Sequence, residues 1–291
     1  MNNLLEISKN YDLIGIGEES HGEIISWKYR YKIIKYLSNF SEKIYIFSEQ
    51  LDSYINELNN KNVKFNFYND GFYPNIIFRS NMTNEHLYYT KKLNKLLPKV
   101  KFYGIDIQIV KYECLYHKEN ITSELYDIIE KYKNYYLEND LGTGKIRNKC
   151  NAFIMKDLMI YLNKKYHLSN NKFIYIGHNE HISLNCNDTI KDKEYLTDGY
   201  YLKNICNIKY LSISTYSNEL YTVRHCKIKL IKGKNKRIWN TLFKENENYK
   251  IISNKDNLIL KMENYTNRDF DYVICIKKII PLTLLNKMLK E

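Results

Sequence analysis

Asp12-Leu13-Ile14-Gly15-Ile16-Gly17-Glu18-Glu19-Ser20-His21-Gly22 sets an apolar run directly against a charged, glycine-bounded turn. Residues 12–16 have the length and apolar content of a strand buried on both faces. Behind the turn, Ile25, Tyr29, Ile33 and Leu37 recur at helical spacing. Strand, polar turn and amphipathic helix together open a βαβ unit. Working outward, residues 43–47, 100–105 and 172–176 repeat the buried-strand pattern, and residues 87–97, 122–138 and 146–165 the helical one. This alternation implies right-handed crossovers and a parallel sheet. Past residue 205, segments 208–216, 220–231 and 272–279 read as strands that finish the sheet in partly antiparallel fashion, and 282–290 as a terminal helix. The expected fold is therefore α/β: a mostly parallel central sheet flanked by helices, with a helical insertion at about 108–170 and a more antiparallel C-terminal part. Only three prolines occur and no Pro/Gly/Ser-rich linker interrupts the chain, so one domain over residues 1–291 is the simplest organisation.

Composition narrows the function. With 44% hydrophobic and 14% aromatic residues the chain carries enough apolar surface for a large core. Its net charge of +12 suggests an anionic partner. However, only six of the 45 basic residues are arginine, and the lysines are scattered along the chain. Nucleic-acid readers lean on arginine forks, so a nucleic-acid partner is not expected. The six cysteines form no CxxC pair, the first twelve residues hold no apolar leader, and no stretch has transmembrane length. The expectation is a cytoplasmic protein with reduced thiols, no membrane partner and a small-molecule substrate, its oligomeric state left open.

The chemistry gathers where the strands end. The first ends in Glu18-Glu19-Ser20-His21, the second in Ser48-Glu49-Gln50, the third in Gly104-Ile105-Asp106, and the fourth in Gly177-His178-Asn179-Glu180-His181. In a parallel sheet these ends share one edge, which is where open α/β sheets bind ligands. A neutral imidazole can take a proton from water near pH 7, and a neighbouring carboxylate fixes its tautomer. The same groups could instead hold a divalent metal with open positions. Arg30 interrupts the apolar stripe of the first helix and calls for a buried carboxylate or an anionic ligand; Glu49 on the neighbouring strand is the expected partner. No G-x-S-x-G elbow, P-loop or complete G-x-G-x-x-G is present, which disfavours a serine hydrolase and a nucleotide enzyme.

Gly17-Glu18-Glu19-Ser20-His21-Gly22, followed by Arg30 and Glu49, resembles the opening of the erythromycin esterase-like family. Phe102-Tyr103-Gly104-Ile105-Asp106 resembles its F-Y-G-x-D strand, and Gly177-His178-Asn179-Glu180-His181 its A-H-N-x-H segment, with Gly177 in place of alanine. Arg147 with the helix after it, and Asp198-Gly199-Tyr200-Tyr201, resemble further family segments, so the likeness runs from about residue 10 to about 220. The resemblance implies hydrolysis of an ester, lactone or similar acyl bond with no covalent serine or cysteine intermediate and no cofactor. By the same resemblance His21 is the general base, Glu18 and Glu49 orient and polarise, and Arg30 organises the carboxylates. His178 and His181 line the opposite wall, and Asp106 and Asn179 bind substrate. The chain is shorter than the macrolide-cleaving members, so the constellation and reaction type carry over and the antibiotic does not. Two alternatives stand beside this reading: a metal-dependent hydrolase on the same scaffold, and a non-catalytic module binding a small ligand.

Overall fold

The computed structural model describes residues 1–19, 24–49, 99–111, 116–142, 144–166, 170–185, 196–217, 219–224, 227–232, 249–253 and 269–276. The chain enters through helix α1 (Asn2–Ser8), strand β1 (Leu13–Glu18), helix α2 (Ile24–Leu37) and strand β2 (Lys43–Ser48). Strand β3 (Val100–Gly104) leads through a 3-10 turn (Ile107–Lys111) to helices α3 (Ser123–Asn139) and α4 (Lys145–Tyr166). Strand β4 (Asn171–His178) and the one-turn helix α5 (Asn179–Ile182) follow, and then strand β5 (Tyr210–Ser217). The remaining described strands are β6 (Glu219–Arg224), β7 (Lys227–Lys232), β8 (Tyr249–Ser253) and β9 (Tyr272–Ile276).

Seven strands form one sheet in the order β3-β2-β4-β1-β5-β9-β8. Neighbours are parallel from β3 across to β9, and only β8 on β9 is antiparallel. Mostly parallel, flanked by helices, with helices α3 and α4 between β3 and β4 and an antiparallel pair late in the chain, this is the α/β architecture that the alternating pattern implied. The segment 220–231 departs from expectation: β6 and β7 pair with each other in a separate two-stranded ribbon rather than finishing the main sheet. A hairpin satisfies its own ladder locally, so strand-like sequence alone does not say which sheet it joins. The helices expected over 87–97 and 282–290 lie outside the described residues.

Alternation along the strands decides what the two faces hold. Ile14 and Ile16 of β1, Ile44 and Ile46 of β2, and Ile174 and Ile176 of β4 pack with Tyr29, Ile33, Ile34 and Leu37 of α2 and with Leu4 and Leu5 of α1. Leu13, Tyr45, Phe47, Phe173 and Tyr175 turn the other way, against Leu125 and Ile129 of α3 and Ile154, Met155 and Leu158 of α4. Burial on both faces is why these strands read as continuous apolar runs rather than as alternating ones.

Both β1 and β4 run further than their apolar stretches. Gly17 pairs with Gly177 and Glu18 with His178, so the glycines that look like turn punctuation are strand residues. Gly17 is glycine because α5 folds back over it: an added Cβ would lie 2.2 Å from Asn179 Oδ1 and 3.0 Å from its Cα. Gly144, just before α4, has φ of 76°, a left-handed geometry that favours glycine. Substituting Gly17→Ala should lower stability by about 1–3 kcal/mol through overpacking against α5. Urea unfolding would measure this; an unchanged midpoint would show that α5 yields freely at this point.

Candidate functional site

The strand ends place the candidate residues on one edge but on opposite faces of the sheet. Glu18 continues the parity of Ile14 and Ile16, and therefore emerges on the α2 side. Arg30 of α2 is fully buried there and donates Nη1 to Glu18 Oε2 at 3.2 Å. Its Nη2 donates to the carbonyls of Ile16 at 3.2 Å and Gly177 at 3.1 Å. The buried cation thus meets one carboxylate and two strand-end carbonyls, the pairing that a buried charge requires. This corrects the expected Arg30–Glu49 pair. Glu49 follows Tyr45 and Phe47 in parity, emerges on the α4 side, and takes its cations from there.

Glu49 is the centre of that second cluster. Its Oε2 accepts the backbone N–H of His178 at 2.8 Å. Its Oε1 lies 3.0 Å from His181 Nε2 and accepts Arg147 Nη2 at 3.3 Å. Arg147, in the first turn of α4, also holds Asp106 with both arms of its fork, Nε to Oδ1 at 3.0 Å and Nη2 to Oδ2 at 3.0 Å. Asp106 in turn accepts the N–H of Gln108 at 3.1 Å and so caps the 3-10 turn after β3. A cation near a helix N-terminus opposes the helix dipole by about 0.3–1 kcal/mol, and the two carboxylates offset this. On its far side His181 Nδ1 lies 3.6 Å from Asp198 Oδ1, and Asp198 Oδ2 accepts the Tyr175 hydroxyl.

Burial and charge set the protonation states. Burial pulls the His181 imidazole down, but the Glu49 and Asp198 carboxylates more than reverse this and carry it up to about 10. Burial raises the Asp198 carboxyl, against the pull of His181, Tyr175 and Arg147. For Arg147, burial works against the charge, and Asp106 and Glu49 overcome it and hold the guanidinium well above its usual value. At neutral pH the cluster therefore presents an imidazolium and a guanidinium among three carboxyl groups.

The other expected residues take different places. His178 caps α5: its Nδ1 accepts the N–H of Glu180 at 3.3 Å, and its Nε2 lies 3.0 Å from the Glu19 carbonyl. A carbonyl only accepts, so Nε2 carries the ring proton. Asn179 is fully buried and donates Nδ2 to the Thr215 carbonyl at 3.0 Å, tying α5 to β5. His21 lies outside the described residues. Sequence reasoning did not place Arg147, Asp198 or Tyr175 in the site. Arg147 and Asp198 belong to segments that carry the family likeness, which is the signal that points to them. Tyr175 had none, because a tyrosine in an apolar strand reads as core. Among the described residues no group of three or more His, Cys, Asp or Glu side chains is placed to hold a metal ion. Glu18 is committed to Arg30, His178 to backbone groups and His181 to two carboxylates. No described helix is long and apolar enough to cross a membrane.

No family model matches the chain, and no curated protein matches its sequence. Solved structures do resemble its fold. An erythromycin esterase mutant in an open conformation superposes with a TM-score of 0.58 at 12% identity, over 94% of this chain and 92% of that one. A succinoglycan biosynthesis protein superposes with a TM-score of 0.54 at 15% identity, over 95% of this chain and 90% of that one. A Bacillus cereus protein gives 0.53 at 15% identity with the same coverages of 95% and 90%. At these identities the likeness is one of fold.

The cluster makes a prediction about pH. His181 holds its proton more tightly folded than unfolded, so its contribution to stability is complete below its ordinary value of 6.5 and fades as pH rises toward about 10. The stability difference between wild type and His181→Gln, taken from urea unfolding at about pH 6, 8 and 9.5, should shrink steadily across that window. A difference that stays constant would mean that the ring is neutral in the folded protein.

Proposed function

We propose that this chain is a hydrolase that opens an ester, lactone or similar acyl bond in a small molecule, with water activated by a histidine at the carboxyl edge of the sheet. The observation that carries the reading is the buried Glu49–His181–Asp198–Arg147–Asp106 cluster at that edge. Charges brought together in this way cost folding free energy unless they are used. The fold shared with an erythromycin esterase supports the same class of reaction.

Division of labour follows from which nitrogens are committed. His181 carries its proton at neutral pH and is a poor base. It is suited to hydrogen-bond a substrate carbonyl oxygen as negative charge develops there, and to protonate the departing alkoxide. Its Nε2 edge, which it shares with Glu49 beside the partly exposed Arg147, is the one placed for this. Both ring nitrogens of His178 face backbone groups. His21, three residues past Glu18 in sequence, is the proposed base, the role that the family resemblance implies for it: it takes a proton from water, and the hydroxide adds to the acyl carbon. Arg30 neutralises Glu18 at the end of β1. The reaction so written needs no cofactor.

The test is a panel of p-nitrophenyl esters and lactones, run with wild type and His21→Ala, with and without chelator. Wild type should turn over at least one class, and chelator should leave its rate unchanged. His21→Ala should lose about 10²-fold or more in kcat/KM with its circular dichroism intact, which is the usual contribution of a general base. A His21→Ala protein as active as wild type would falsify the assignment, and loss of activity on chelation would move the reaction to a metal.

A further inference from the structure

One member of the cluster, Asp198, has no step of its own in the chemistry above, and it is paired with a buried tyrosine. Tyr175 and Asp198 are both fully buried, on the α4 side of the sheet. The Tyr175 hydroxyl donates to Asp198 Oδ2. Asp198 opens a short helical turn whose approach is pinned at both ends. The Thr197 hydroxyl donates to the Ser183 carbonyl at 2.5 Å, at the end of α5, and its Oγ1 accepts the N–H of Tyr200 at 3.1 Å. The segment is thus fixed against the one-turn helix that carries His181.

What remains of the carboxylate faces the ring. Asp198 Oδ1 and His181 Nδ1 lie 3.6 Å apart, and neither atom has a hydrogen-bond partner among the described residues. Two buried polar atoms that face each other, each otherwise unmatched, form a contact that a small rotation of the ring closes. Such contacts are often long in a resting enzyme and tighten when the reacting group is engaged. The groups facing His181 are then Glu49 from the end of β2, Arg147 of α4 behind Glu49, Tyr175 of β4 behind Asp198, and Asp198 itself.

We infer that Asp198, anchored by the Tyr175 hydroxyl, is a positioning residue for His181: it holds the ring through Nδ1, from the side opposite Glu49, and so keeps the Nε2 N–H at the edge where Glu49 and the reacting oxygen share it. The inference rests on the hydrolase reading. In this arrangement Asp198 does not touch the substrate. It fixes the donor's direction, and Tyr175 keeps the carboxylate from rotating away.

The experiment uses the full chain. Imidazole nitrogen spectra of ¹⁵N-labelled wild type, Asp198→Asn and Tyr175→Phe are followed with pH, His181 being assigned by His181→Gln. Steady-state kinetics are run on whichever ester or lactone the panel identifies. In wild type, both ring nitrogens of His181 should carry protons at about pH 8. Asp198→Asn should bring its titration down by at least about one pH unit and lower kcat about tenfold or more, with KM within about threefold. Tyr175→Phe removes only a hydroxyl and keeps the ring; should Asp198→Asn fail to fold, this variant decides, with a kcat loss of about threefold or more and a displaced pH profile. An active wild type whose kcat and His181 signals are untouched by the variants overturns this inference alone. A wild type inert on every ester and lactone overturns the hydrolase reading, and the inference with it.

Discussion

Glu49 is the group on which the edge depends. One carboxylate, almost wholly out of solvent, receives a backbone N–H from β4, an imidazole from α5 and a guanidinium from α4. An ionised carboxylate removed from water is costly by several kcal/mol, and three directed donors offset that cost where one would not. The donors come from three separate elements, so the carboxylate also fixes how those elements sit at the end of the sheet. Remove it, and His181 and Arg147 lose a partner that they share.

A second constraint is parity. Side chains alternate along a strand, so a shift of one residue at a strand end moves a carboxylate to the other face. Glu18 lies under α2 with Arg30, and Glu49 under α4 with Arg147 and His181. The two clusters meet through a single peptide unit. The Gly177 carbonyl accepts Arg30 on one side, and the His178 N–H, across the same peptide bond, donates to Glu49 on the other. The sheet edge itself therefore couples the two charged groups, without a direct contact between them being needed.

That arrangement sorts the histidines into roles. His178 spends both nitrogens on backbone groups and holds the start of α5. His181 sits between two carboxylates and is kept protonated, which suits a donor and not a base. In the proposed reaction the base is therefore a different histidine, His21, three residues past Glu18 in sequence. The net charge of +12 comes from lysines scattered along the chain, whereas the described strand ends are rich in carboxylates.

Apolar runs interrupted by polar turns determined the parallel α/β sheet, and the two helices between β3 and β4 were legible from their periodicity alone. So was the edge on which Glu18, Glu49, Asp106, His178 and His181 lie, because parallel strands deliver all their ends to one side. Sequence did not decide which carboxylate meets which cation: Glu49 was the expected partner of Arg30, and strand parity together with the position of α2 gives it Glu18 instead. It also left open that β6 and β7 form their own ribbon, since a strand carries no label for its sheet. The partners of His181 were decided by tertiary structure alone. Asp198 lies seventeen residues beyond it and Glu49 comes from a strand far earlier in the chain. A proton's affinity for an imidazole depends on which charges surround it in space, and linear spacing does not encode that.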